Sequence, residues 1–446
     1  KKASDEEPVR YSGSVLTYNA GMIAGLSSTD YNWSLTNPYM DSFREEMLMR
    51  EGLISKYYGL DTRSALLTLS SVDVYVVPKK NEKTTALPYG FTLSKKASEN
   101  SDWLVYTNDH ALPEGYIYTQ AVTEDVWETL SALEKQMIMT EAAMVPGEED
   151  MAGVRLKTLS ERETGNDTGS GNAAGSPGKG SLTEGIREVT AVTELSENIE
   201  MTGDGTYTAS SGKEKITLSF EAPAGCETYV EIHGLSMDLP AGEDTAAITL
   251  KASSGVRKTL TFYTEDSDFY TGRTDFLVNL GYQEMPVTSL VLTLPSAGTF
   301  SFESLKVWSV SYEGFDERIA ALKDNALEKI QFETDTVSGQ AELEEPGILC
   351  VTVPYADGWK AYVDDEEAET FPVNGRYIGV RLPEGKHRIR IVYRRPYQTA
   401  GWIVSLVSLS GGILYVILRK KRDTADRLQL SISLIDAPDG EGRNGP

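Results

Sequence analysis

Only three imidazoles occur in the 446 residues: His110, His233 and His387. Structural zinc takes His and Cys at short fixed spacings, and these three share none. Two acidic runs, Glu148-Glu149-Asp150 and Asp364-Asp365-Glu366-Glu367, have the chemistry of paired carboxylates for glycoside cleavage or of a cation site. The EF-hand order is absent, and adjacent acids in a turn read as solvated. Trp308, Tyr312, Trp359 and Tyr362 are the residue types that stack on sugar rings. Their alternation with apolar neighbours places them in sandwich cores instead. Cys226 and Cys350 lie in separate segments and read as two buried thiols rather than a bridge. This is no disulfide scaffold. No P-loop, GxSxG, HExxH or Rossmann fingerprint is present, and Gly169 and Gly171 fall in low-complexity sequence. The sequence therefore assigns no catalytic, cofactor-binding or metal residue.

The elements that would position any site are a mixture. Val72–Val77 reads as a strand closed by Pro78, with a helical pattern before it at Leu48–Tyr57. A longer helix is expected from Glu124 to Met144. Val126, Leu130, Leu133 and Met137 would form its face, Thr123 would cap it and Pro146-Gly147 would stop it. Ile216–Phe220, Tyr229–Ile232, Leu260–Phe262 and Val291–Leu294 alternate with period two between turn residues, the signature of a β-sandwich. A short helix, 315–329, would bury Phe315, Ile319, Leu322 and Leu327. Further strands follow at Ile348–Val353, Trp359–Val363 and His387–Tyr393. In the last, Ile389, Ile391 and Tyr393 face one way and Arg388 and Arg390 the other.

The expected class is multidomain α+β. A mixed α/β extracytoplasmic unit spans 1–159, followed by a Gly/Ser-rich disordered linker, 160–185. A jelly-roll-like sandwich covers 186–314, and a connecting helix 315–329. A membrane-proximal sandwich covers 330–398. One transmembrane helix, 400–418, precedes a cytoplasmic tail, 419–446.

Ala400 to Leu418 carries no charge and spans roughly 28 Å at about 1.5 Å per residue, close to a bilayer's ~30 Å hydrocarbon core. Arg419-Lys420-Lys421-Arg422 follows at once and marks the cytoplasmic side. The bulk of the chain is then extracytoplasmic at a bacterial cell membrane. Trp402 suits the interfacial belt. Gly401, Ser405, Ser408 and Gly412 fall on one face, the small-residue pattern that lets helices approach in lipid. The chain opens KKASDEEPVR, with no initiator Met and no apolar leader. An upstream membrane region is therefore expected, with this helix as the last of a bundle and the bundle as its partner. The net charge of −25 repels polyanions and excludes a nucleic-acid role.

Several motifs stand in a distinctive order. They are Ser64–Val77, Tyr106-Thr107-Asn108-Asp109-His110-Ala111-Leu112-Pro113 and Phe276-Leu277-Val278-Asn279-Leu280-Gly281-Tyr282. Val353–Asp364, Asn374-Gly375-Arg376-Tyr377 with Ile378–Val380, Leu382–His387 and Tyr393-x-x-Pro396 follow. Together they resemble the C-terminal end of the YfhO family of bacterial polytopic membrane proteins, over nearly the whole chain apart from the linker and tail, with Ser64–Val77 corresponding to the family's Leu-rich strand. Asp365 departs from the family's usual Gly in its V-D-G turn, and Asp tolerates that left-handed position. The resemblance implies a membrane glycosyltransferase of GT-C type. It would use a lipid-phosphate sugar donor and glycosylate cell-envelope polymers such as lipoteichoic acid, its acid residue lying in a first outer loop upstream. No cofactor is expected in this chain itself. The alternative is a single-span surface protein whose sandwiches bind glycan or serve as a structural ectodomain.

Overall fold

The computed structural model describes residues 9–13, 19–33, 35–50, 56–147, 153–157, 185–203 and 205–435. The run Glu148-Glu149-Asp150, nearly all of the expected linker, Gly169 and Gly171 with it, and the end of the tail lie outside them. Two compact units result, Lys1–Tyr393 and Arg394–Pro446.

The first unit holds two antiparallel sandwiches and a mixed α/β layer. In one sandwich, a sheet of Ile186–Val189, Ser304–Ser311, Cys226–His233 and Phe276–Gln283 faces a sheet of five strands, Val192–Leu195 to Arg257–Tyr263 at its edges. Leu218, Val230, Ile248, Val278 and Leu292 are buried between them. In the other, Glu328–Phe332, Thr336–Leu343, Gly385–Tyr393, Trp359–Val363 and Glu366–Ala368 form one sheet. Its mate runs Thr370–Val373, Tyr377–Leu382, Gly347–Pro354 and then Gly115–Tyr118. The last strand comes from the first third of the chain, with Tyr118 opposite Ile348 and Tyr116 opposite Cys350.

The mixed layer centres on the sheet Ser27–Ser28, Arg10–Gly13, Val74–Pro78, Trp103–Asn108, Phe91–Leu93. It shares one apolar core with the outer faces of both sandwiches. Tyr229, Leu277 and Val310 enter that core from one sandwich, and Ile348, Cys350 and Val373 from the other. Successive strand side chains point to opposite faces, so Leu349 and Val351 turn instead into the second sandwich. Sheets covered on both faces need apolar residues at every position, and Gly347–Pro354 reads GILCVTVP accordingly.

Four local expectations need correction. The helix placed at Leu48–Tyr57 is not formed at its described residues, 48–50 and 56–57. Pro38–Glu46 is the helix, capped by Asn37, whose Oδ1 accepts from Tyr39 N and Met40 N at 3.0 and 3.1 Å. Leu48 turns left-handed at φ 49°, and Lys56–Tyr58 pairs as a strand with Asp30–Asn32. The single helix Glu124–Met144 is two, Glu124–Glu128 and Ala132–Ile138. Ser131 starts the second with a capping box on Glu134, which competes with continuation of the first. Thr123 bonds the Asp125 side chain instead of a helix amide, and Ala143–Val145 is a strand. Ser64–Val77 is not one strand, because Ser64–Leu69 is a buried helix. The helix at 315 stops at Asp324, leaving Leu327 buried beyond it and Glu328–Phe332 as a strand.

Among the described residues the second unit holds one helix, Gln398–Ile435, of 38 residues, about 57 Å long at 1.5 Å per residue. Residues 398–431 form a stretch long and apolar enough to cross a membrane. The helix runs on through the basic cluster at 419–422 without a break.

Candidate functional site

The three histidines are each held by local carboxylates in different parts of the first unit. His110 lies 3.3 Å from Asp316 and stacks on Tyr89. Its ring occupies the space a Cβ on Gly90 would fill, at 2.2 Å, and Gly90 has φ +78°. His233 bridges Glu231 and Asp275 at 3.1 and 3.4 Å. His387 Nδ1 meets Asp364 at 2.7 Å. Among the described residues no group of three metal-ligating side chains assembles.

The acidic run 364–367 forms a hairpin turn and the start of its second strand. Asp364 and Asp365 take φ 52° and 71°, a two-residue connection between Trp359–Val363 and Glu366–Ala368 of the kind that right-twisted strands favour. Asp364 also accepts from Arg388 N at 2.9 Å, and Asp365 pairs with Arg388. The Arg388 amide and His387 hold the Asp364 carboxyl below the usual range.

Of the four aromatics, Tyr312 is buried. Trp308, Trp359 and Tyr362 are half-buried on sheet faces, which corrects the placement of these three in cores. Trp308 Nε1 donates to Glu231 at 2.6 Å, Trp359 packs against Tyr393, and Arg390 covers Tyr362. Cys226 and Cys350 are both buried free thiols. Burial pushes the Cys350 thiol up to about 12, so it is inert as a nucleophile.

What brings chemistry together is a cleft of about 550 Å³. Its wall comes from three segments far apart in sequence. The turn before Val74–Pro78 supplies Ser71 and Asp73, the loop after Trp103–Asn108 supplies Glu114, and 323–330 supplies Lys323, Glu328 and Lys329. Arg10, itself buried, organises the back. Its Nη2 lies 3.3 Å from Glu114, its Nη1 donates to Ser70 O at 2.6 Å and Thr352 Oγ1 at 2.9 Å, and its amide donates to Asp73 at 2.7 Å. Burial raises the Glu114 pKa, Arg10 opposes that, and the neighbouring Asp73 charge adds to it. Ser71 and Lys329 both hold left-handed backbones, φ 54° and 51°, a cost that surrounding structure must offset. The carboxylates accept hydrogen bonds and the ammonium groups donate them.

Sequence reasoning missed this cleft because no single segment shows it. Its signal lay in the motifs. Ala111-Leu112-Pro113 forms part of the wall, and Asn108 ties that loop to Val72 O at 2.9 Å. The other motifs are joints between layers. Asn279 N donates to Asp61 Oδ2 at 2.8 Å. Asn374 Oδ1 accepts from Met144 N at 2.9 Å, and Arg376 lies 3.7 Å above the Phe43 ring.

No curated protein matches the chain. Solved structures share short stretches. A GH115 4-O-methyl-alpha-glucuronidase, BtGH115A, is 13% identical over 31% of this chain and 19% of its own, with a TM-score of 0.21. The CBM35 of Cellvibrio japonicus Abf62 is 14% identical over 28% of this chain and 91% of its own, at 0.18. The arabinofuranosyltransferase AftD from Mycobacteria is 11% identical over 46% of this chain and 24% of its own, at 0.16. This chain spans less than half the length of that glucuronidase and of AftD. Similarity this slight carries no argument about fold or activity. The family described as "Bacterial membrane protein YfhO" is different in kind, for it matches residues 9–405, from the first described strand into the apolar helix. The chain belongs to the YfhO family of bacterial membrane proteins.

Proposed function

We propose that this chain is the extracytoplasmic C-terminal part, with the last helix, of a membrane glycosyltransferase. It would act on cell-envelope polymers of the lipoteichoic acid class from a lipid-phosphate sugar donor. The family match over residues 9–405 carries the reading. The catalytic acid belongs to an upstream membrane region, and the first unit here shapes access for the acceptor. The small-residue face Gly401, Ser405, Ser408 and Gly412 supports packing of Gln398–Ile435 against other helices of that region. The basic cluster 419–422 supports a cytoplasmic tail.

The test supplies a lipid-linked radiolabelled sugar to membranes carrying either the full open reading frame or residues 1–446 alone. Label should reach polymer only with the full protein. Transfer by the 446-residue chain alone overturns the assignment of the active site upstream.

A further inference from the structure

We propose that the cleft between residues 71–73, 111–114 and 323–330 is a binding site for a neutral, polyhydroxylated ligand, a short segment of uncharged glycan. Its volume of about 550 Å³ lies within the range of ligand sites, about 300–1,000 Å³. Its lining is dense in charge yet balanced. The carboxylates Asp73, Glu114 and Glu328 stand against Lys323, Lys329 and the Arg10 guanidinium behind Glu114. On a chain carrying −25, that balance draws in neither a polyanion nor a free cation.

Other ligand classes fit worse. An apolar ligand would strip water from these groups without replacing its hydrogen bonds. A phosphate wants a surplus of cationic donors, the guanidinium fork above all. Here the fork is engaged with Ser70 O, Thr352 Oγ1 and Glu114. A sugar hydroxyl both donates and accepts, so it can bond to a carboxylate and an ammonium group at once. The site is also held ready. Arg10 fixes Glu114 from behind, and Ser71 Oγ is tied to Pro113 O at 2.9 Å. Lys329 Nζ is tied to Gln340 at 2.9 Å. Two of the left-handed non-glycine residues, Ser71 and Lys329, lie in this wall. The proposal draws on the proposed function only for where such a glycan would come from.

The full chain in detergent is titrated by calorimetry with maltotriose, cellotriose and gentiotriose, and separately with glycerol 3-phosphate. No sugar donor is present, so the outcome is independent of any transferase activity. At least one neutral trisaccharide should bind saturably. Lys323→Ala should weaken it about tenfold, the loss of one charge-assisted hydrogen bond. Ala326→Trp should abolish it by filling the cleft, while Trp359→Ala, on another face, leaves it unchanged. Circular dichroism checks that each variant folds. Absence of binding by all three sugars, a preference for glycerol 3-phosphate, or binding that survives Ala326→Trp in a folded variant each overturns the proposal.

Discussion

Lys258 Nζ lies 3.0 Å from Asp61 Oδ1, although 197 residues separate them. Arg50 Nε reaches the same oxygen at 3.0 Å, and Asn279 N occupies the other at 2.8 Å. One fully buried carboxylate thus fastens the mixed layer to two strands of the first sandwich. Asp61→Asn keeps the shape but leaves two cations without their anion. The expected loss is about 3–5 kcal/mol, read from urea unfolding in detergent. A loss under about 1 kcal/mol would show that the joint is dispensable.

The same carboxylate sets an acid limit. Burial alone would raise the pKa of Asp61, but Lys258, Arg50 and Arg63 together outweigh it and bring it to about 2. The folded value lies below the unfolded one, so this stabilisation is complete above pH ~4 and is lost as pH falls from ~4 towards ~2. Thermal midpoints measured across that window should fall steeply in the native chain and less in Asp61→Asn.

Glu114 has the opposite sign. Its folded pKa is raised, chiefly by burial. Its contribution is therefore complete below the unfolded value of about 4.3 and is lost as pH rises through the raised folded value. Glu114→Gln should remove that part of the pH dependence above pH ~4.3 in the same thermal series. An unchanged profile would mean that Glu114 titrates as an ordinary surface acid.

The break between Glu124–Glu128 and Ala132–Ile138 makes two similar residues unequal. Ser131→Ala removes the hydroxyl half of a capping box, which accepts from Glu134 N, and should cost about 1 kcal/mol. Thr123→Ala removes only a bond to the Asp125 side chain and should cost clearly less. Equal losses in denaturant melts would restore the continuous helix to consideration.

Leu409→Lys places a charge in the middle of the apolar stretch of Gln398–Ile435. At about 2.5–3.5 kcal/mol for a central Lys, the alkaline-resistant membrane fraction should fall several-fold. Retention at the native level would mean that other segments hold the protein in the membrane.

Strand alternation made Lys215–Ala222, Cys226–His233 and Gly385–Tyr393 legible from local pattern, because each buries one face against its own sandwich. Charge and length made the apolar helix legible. The cleft was not, since Asp73, Glu114 and Lys329 meet only through tertiary packing. The reading of 124–144 failed for a related reason. Val126, Leu130, Leu133 and Met137 keep helical spacing across the break, and only Ser131 with Glu134 betrays a second start. Trp308 and Trp359 alternate with apolar residues as core positions do, yet an indole with a carboxylate or backbone carbonyl to bond is stable on a half-open face.

The pairing of Gly115–Tyr118 with Gly347–Pro354 imposes a delay on biogenesis. Translation at about 5–20 residues per second separates the two strands by roughly 10–50 s. Through that interval Tyr116 and Tyr118, both wholly buried in the finished protein, have no partner sheet to enter. The mixed layer therefore completes its core only after most of the chain has emerged. A holding chaperone, or the membrane insertion machinery itself, would have most to protect in this window.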